Sequence, residues 1–308
     1  MTRITARTAM LMTLPPLLWA GNAVVGRLAV GSVPPMTLNF LRWLLASLIL
    51  LPLGWRALRD LQVLRRRWPY LLAIGTLAMG MYNALQYLAL ITTTPLNVTL
   101  IAASLPVAML AVGSVFYGEH PTQCQLGGAL LSIAGVLLVI ARGDPLALAR
   151  VHFVAGDLYV VVAVIAWAGY SWLLARPPPS MRAPARPDWD WAGFLLVQII
   201  FGLIGAGAAA GVEAALGAKP IVWSGFVVAV LLFVAIGPGI IAYRCWGLGV
   251  ARGGPALAAF FANLTPLFAA LMSAAVLGER PRWFHALAFA LIVGGILVSS
   301  ARAQKVPG

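Results

Sequence analysis

The sequence predicts an all-α integral membrane protein of ten transmembrane helices, arranged as two inverted five-helix repeats. Three observations carry this: the composition, the spacing of apolar runs, and a self-similarity at one fixed offset. Of 308 residues, 62% are hydrophobic and 9% are charged, with a mean hydropathy of +0.94. A soluble domain carries roughly a quarter charged residues. So few charges cannot clothe a water-facing surface, which excludes a soluble globular protein and points to the bilayer. At roughly 20 apolar residues per crossing, the chain has room for about ten crossings and short loops.

The apolar runs, bounded by Pro, Gly or charge, fall at 8–29, 35–54, 69–91, 95–117, 122–141, 153–174, 191–212, 223–250, 255–277 and 283–301. The first follows Arg3 and Arg7 as a secretory signal would. It runs on past Trp19 without a small-residue cleavage site, so it reads as a retained helix. An even count puts both termini on one side. Assigning that side to the cytoplasm places 13 basic residues inside and 6 outside, with Arg42 and Arg244 left within spans. The positive-inside rule therefore orients both termini to the cytoplasm. Loop clustering of this kind also explains the net charge of +13 without a nucleic-acid partner. The longest connection, 175–190, holds Pro177, Pro178, Pro179, Pro184 and Pro187 and is expected to be an extended tether. Cys124 and Cys245 have no CxxC spacing and lie in or beside apolar spans, so no disulfide, metal or other cofactor is expected.

Sliding the chain against itself by 160 positions aligns Pro95 with Pro255, Pro106 with Pro266, and Gly135 with Gly295. The Gly118-Glu119-x-Pro121 turn falls on Gly278-Glu279-x-Pro281 and Ala141-Arg142 on Ala301-Arg302, without a gap. Rare punctuating residues in register mark a duplicated unit. Trp19-Ala20-Gly21-Asn22 likewise resembles Trp167-Ala168-Gly169-Tyr170. The halves are residues 1–150 and 151–308, and because five is odd the second enters the membrane in the opposite sense. Glu119 should then face the cytoplasm and Glu279 the exterior, each read as a cap of the following helix. Inverted repeats recur in secondary transporters, where two similar halves of opposite sense give one state open to each side.

With these features the chain resembles the drug/metabolite transporter superfamily. The resemblance rests on ten spans in two EamA-type repeats, Leu18-Trp19-Ala20-Gly21-Asn22, Leu41-Arg42-Trp43-Leu44-Leu45-Ala46, and the Gly-Glu-x-Pro turns. It implies an inner-membrane exporter with a central cavity lined chiefly by the first, third, fourth, sixth, eighth and ninth helices. Within the superfamily, the length, the aromatic-rich spans and the N-terminal stretch look most similar to a bacterial exporter of aromatic amino acids.

Substrate sites in such folds lie near the bilayer midplane, so polar and aromatic residues at mid-span are the candidates. Trp55, Trp68, Trp189, Trp191, Trp223 and Trp283 lie at span ends, as an interfacial belt requires. Trp19 and Trp167 occupy equivalent places in the two halves and are read as lining the cavity, with Trp246 beside them and Trp43 as packing. Tyr170 stands at the place of Asn22, three residues after its tryptophan. Tyr82, Asn83, Gln86 and Tyr87 make a polar face on the third span, and Asn97, Ser104, Tyr243 and Asn263 add to it from the fourth, eighth and ninth. Interhelical hydrogen bonding is the plainer role for each. Arg42 is read as structural, and Arg244 as snorkelling to the cytoplasmic surface or contacting a carboxylate.

An uncharged, aromatic-lined pocket suits a zwitterion with a large apolar side chain, such as an aromatic or other large neutral amino acid. The alternative is another small metabolite: a polar amino acid, nucleobase, drug or lipid-linked sugar. All eight acidic residues lie in loops or near span ends and no histidine is mid-span, so export by alternating access is expected without ion coupling. Gly75, Gly80, Pro106, Gly237, Pro238, Gly239 and Pro266 are read as hinges. No catalytic constellation lies at depth, so no enzyme is expected. The expected partners are the amino acid and the lipid bilayer, with the chain acting as a monomer.

Overall fold

The computed structural model describes residues 5–29, 31–89, 92–93, 95–277 and 282–300, and every regular element among them is helical. In order these are α1 (Ala6–Leu28), α2 (Pro35–Gly54), the short α3 (Arg56–Arg59), α4 (Leu61–Gly75), α5 (Tyr82–Ala89), α6 (Pro95–Ala102), α7 (Leu105–Tyr117), α8 (Gln123–Ile140), α9 (Asp157–Ala175), α10 (Trp191–Ala215), α11 (Gly225–Val234), α12 (Ala242–Ala262), α13 (Leu264–Leu277) and α14 (Trp283–Ser300). Two π-helical segments, Thr76–Met81 and Ala235–Ile241, join α4 to α5 and α11 to α12.

Among the described residues, 7 helices are long and apolar enough to cross a membrane. That number is below the ten apolar runs because several runs are built from broken helices. The run 95–117 is α6 and α7, and 69–91 is α4, a π segment and α5. Gly225–Ala262 forms one long stretch containing the whole run from 223 and the start of the next. Its interruption is at Gly254, with φ 81° and ψ 162°, directly before Pro255. Only glycine adopts that backbone readily, so the boundary between the two runs is fixed by this residue.

Pro106 and Pro266 differ from their expected mid-helix placement. Each stands in the first turn of a new helix, after breaks at Ala103–Ser104 and at Asn263 respectively. A proline cannot donate to the carbonyl four residues back and crowds it, so the break falls upstream of the ring.

Glycines set the closest helix contacts. A Cβ on Gly128 would lie 2.6 Å from the Gly295 carbonyl oxygen, and one on Gly295 would lie 2.6 Å from that of Gly128. A Cβ on Gly135 would meet the Ala288 carbonyl oxygen at 2.9 Å. Shifted by 160, Gly135 becomes Gly295 and Gly128 becomes Ala288, so α8 and α14 touch through the same positions in both directions. The contact is made at the short range small residues permit in lipid. Gly75, expected as a hinge, is instead a contact of α4 with α10, since a Cβ there would be 2.6 Å from the Gly202 nitrogen.

Helix ends are satisfied from unexpected places. Glu213, late in α10, accepts from Met36 N (2.9 Å), Thr37 N (2.7 Å) and Thr37 Oγ1 (2.8 Å), capping α2 where Pro34 offers no side chain. Thr122 and Gln125 form a reciprocal capping box on α8. Glu119 is therefore not the cap; it pairs with Arg176 at the end of α9. Glu279 lies outside the described residues. The 175–190 connection is docked rather than free: Arg67 donates to Ser180 O (3.0 Å) and Ala185 O (2.7 Å), and Met181 is buried.

Candidate functional site

Trp167, Tyr170 and Ser171 share one face of α9, which the regular helix presents at i, i+3 and i+4. Around Trp167 the ring centroids of Tyr82, Tyr170, Trp19, Tyr243 and Trp246 stand at 4.9, 5.2, 5.3, 5.4 and 5.4 Å. These are edge-to-face and tilted pairs, the geometry aromatic quadrupoles favour. The two repeat-related tryptophans thus meet directly, and both halves of the chain contribute.

The polar tips are fixed by partners. Trp246 Nε1 donates to Ser171 Oγ at 3.1 Å, and that hydroxyl donates to Trp167 O at 2.9 Å. Tyr170 Oη donates to Gln198 Oε1 (3.2 Å). The π segments, whose widened turns turn carbonyls outward, take three more donors. Tyr243 Oη reaches Ala78 O (3.1 Å), Asn39 Nδ2 reaches Met79 O (3.2 Å), and Trp19 Nε1 reaches Pro238 O (3.3 Å). Gly80, Gly237, Pro238 and Gly239 all belong to these segments.

Other expected residues lie elsewhere. Asn83 donates to Asn39 Oδ1 at 3.4 Å, and the Tyr82 hydroxyl lies against Gln86. Asn22 is partly exposed on α1, and the side chain of Tyr87 lies outside the described residues. Asn263 donates to Ala103 O (3.3 Å) and Ser132 Oγ (2.9 Å) at the helix breaks. Asn97 donates to Asp157 Oδ2 (3.0 Å) and His152 O (2.9 Å), at the end of α9 away from the rings. Buried Asp157 also accepts from Thr93 Oγ1 and from Val154 N (2.8 Å). Ser104 turns back to Ile101 O.

Beside the cluster a cavity of about 280 Å³ is bounded by Tyr170, Gln198 and Tyr243, which are buried, and by Arg186, Trp191 and Arg244 toward the outside. Its volume approaches the lower end of small-molecule sites, about 300 Å³.

The EamA-like transporter family matches this chain twice, over residues 6–141 and 154–301. The chain belongs to that family. An uncharacterized transporter of Archaeoglobus fulgidus is 25% identical over 302 residues, 97% of this chain and 99% of that one. The aromatic amino acid exporter YddG of Ancylobacter novellus is 28% identical over 292 residues, 94% of this chain and 95% of that one. A solved structure 24% identical superposes with a TM-score of 0.74, covering 96% of both chains, and shares the fold. The protein is a multi-pass membrane transporter and not an enzyme.

In this EamA-like transporter the sequence reading missed α10 as a wall. Gln198, Phe194 and Leu195 line the cavity. Gln198 is a lone amide in the apolar run 191–212, and that anomaly was the available signal. Trp43, read as packing, touches Tyr243 at 4.9 Å and carries the Arg42 guanidinium 4.8 Å over its ring. Trp172, not singled out, stacks on Tyr117 and donates to Met109 O at 2.8 Å.

Proposed function

We propose that the protein exports amino acids, aromatic or other large neutral ones, across the inner membrane by alternating access. The observation that carries this reading is the ring cluster centred on Trp167, built by both halves and adjoining a cavity of ligand size. Large flat surfaces of this kind stack on an aromatic side chain. The exporter YddG, similar over nearly the whole length, supports the same substrate class.

The working picture has ten crossings in two inverted halves, both termini in the cytoplasm, and the substrate between the halves. The reciprocal α8–α14 contact and the matching π segments support it, since Thr76–Met81 shifted by 160 falls within Ala235–Ile241. The cavity then faces the cytoplasm, on the side of Arg186 and Trp191. Bending at the π segments closes that mouth and opens the other. Export runs down the substrate's own gradient: Asp157, the buried carboxylate among the described residues, is spent on hydrogen bonds at the far end of the bundle.

The test is flux of labelled phenylalanine and tryptophan in liposomes, with threonine, adenine and a lipophilic cation as competitors. Saturable flux of the aromatic amino acids, lost in Trp19→Ala and Gln86→Ala with protein yield unchanged, is expected. No flux above empty liposomes overturns the substrate assignment. A strong response to an imposed pH gradient overturns the uncoupled mechanism.

A further inference from the structure

The cavity beside the ring cluster carries charge of one sign. Arg186 and Arg244 line it, and among the described residues no Asp or Glu does. The ion pair among the described residues is Arg176 with Glu119, so neither lining arginine is neutralised that way. Arg244 is held in place by Trp191, its guanidinium 5.2 Å over that ring, which fixes the plane while leaving donor edges for a carboxylate. Arg186 stands on the connection that Arg67 ties down one residue away, at Ala185. The nearby Asp190 is engaged as the cap of α10, accepting from Gly193 N.

The neutral polar groups are engaged too. Gln198 accepts from Tyr170 and donates to Phe194 O, while Tyr243 donates to Ala78 O. A carboxylate entering here finds two guanidiniums. An amine without a carboxylate finds only two like charges in the lining.

We propose that this cavity selects its substrate by a carboxylate carried on an aromatic body. The carboxylate is held by Arg244 and Arg186 and the ring is directed toward Tyr170 and Tyr243. The inference rests on the reading of the cavity as the substrate path and narrows its substrate class.

Three probes share one phenyl body and differ in charge: hydrocinnamate (anion), phenylalanine (zwitterion) and phenethylamine (cation). Binding to the purified full chain in nanodiscs is read by calorimetry at neutral pH, and counterflow is read in liposomes. Hydrocinnamate and phenylalanine are both expected to bind, and phenethylamine, which lacks the carboxylate, at least tenfold more weakly. Arg244→Gln should remove at least tenfold of the affinity for both carboxylates and narrow their lead over phenethylamine. Arg186→Gln, at an exposed side chain, should do the same to a smaller degree. Phenethylamine binding as tightly as the two carboxylates, or both arginine variants leaving the preference unchanged, overturns the inference while the transport reading stands. Folded protein that binds and moves none of the three overturns the transport reading and this inference with it.

Discussion

The Asn263 amide donates to the carbonyl of Ala103, the residue 160 positions earlier, at 3.3 Å. Because 160 is also the repeat offset, two equivalent positions of the duplicated unit are in contact with each other. The contact lies at the point where both helix pairs break. Asn263→Ala removes this bond and the one to Ser132. Interhelical hydrogen bonds in membranes are worth about 0.6 kcal/mol each, up to about 1.7, so a fall in Tm of a few degrees is expected by thermal unfolding in detergent.

The α8–α14 contact is backbone to backbone. Gly128→Val places a branched side chain where even a Cβ is 2.6 Å from a carbonyl oxygen, so loss of folded protein on size exclusion is expected. Gly127→Ala, whose Cβ would have its nearest neighbour at 4.0 Å, should leave both yield and Tm unchanged.

The two glycines of the third apolar run separate packing from bending. Gly75→Ala, pressed on Gly202, should cost stability. Gly80→Ala has room, with the nearest atom at 3.6 Å, so its Tm should hold while stiffening of the π segment slows transport. Paired measurements of Tm and flux check both; slow flux in neither variant removes the hinge at Gly80.

Trp167 touches five rings, and Trp167→Ala should cost about 3–5 kcal/mol as a core truncation. Trp167→Phe keeps much of the packing. It should fold with a modest loss of Tm yet transport aromatic amino acids at least severalfold more slowly, measured as initial efflux from liposomes.

Glu119 and Arg176 are 49% and 53% exposed, and exposed pairs contribute about 0–1 kcal/mol. Glu119→Gln should shift Tm by no more than a degree or two, and by less still in high salt.

Much of this was legible in the sequence because it rests on rare residues. Pro255 marked the edge of an apolar run and the helix is interrupted directly before it, and the Trp19 and Trp167 quartets named two rings that meet at 5.3 Å; Pro106 and Pro266 were visible too, but they open helices where bends at mid-helix were expected. What escaped was tertiary. Nothing local to Glu213 says that it caps α2, and the Pro-rich connection gave no sign that Arg67 would hold it. Asn97 and Asn263 carried the polarity of a cavity, but their amides serve helix ends. Gln198 was visible as a lone amide, yet its role depends on Tyr170, 28 residues away.

Asp157 and its donors give the bundle ends unequal fastenings. At one end a buried carboxylate is gripped by Thr93, Asn97 and Val154; at the other, half-exposed groups and loop carbonyls meet. In the proposed cycle, opening the buried end is then the slow step. In that cycle the transporter dwells in its cytoplasm-facing form, and turnover is set by how often that grip lets go.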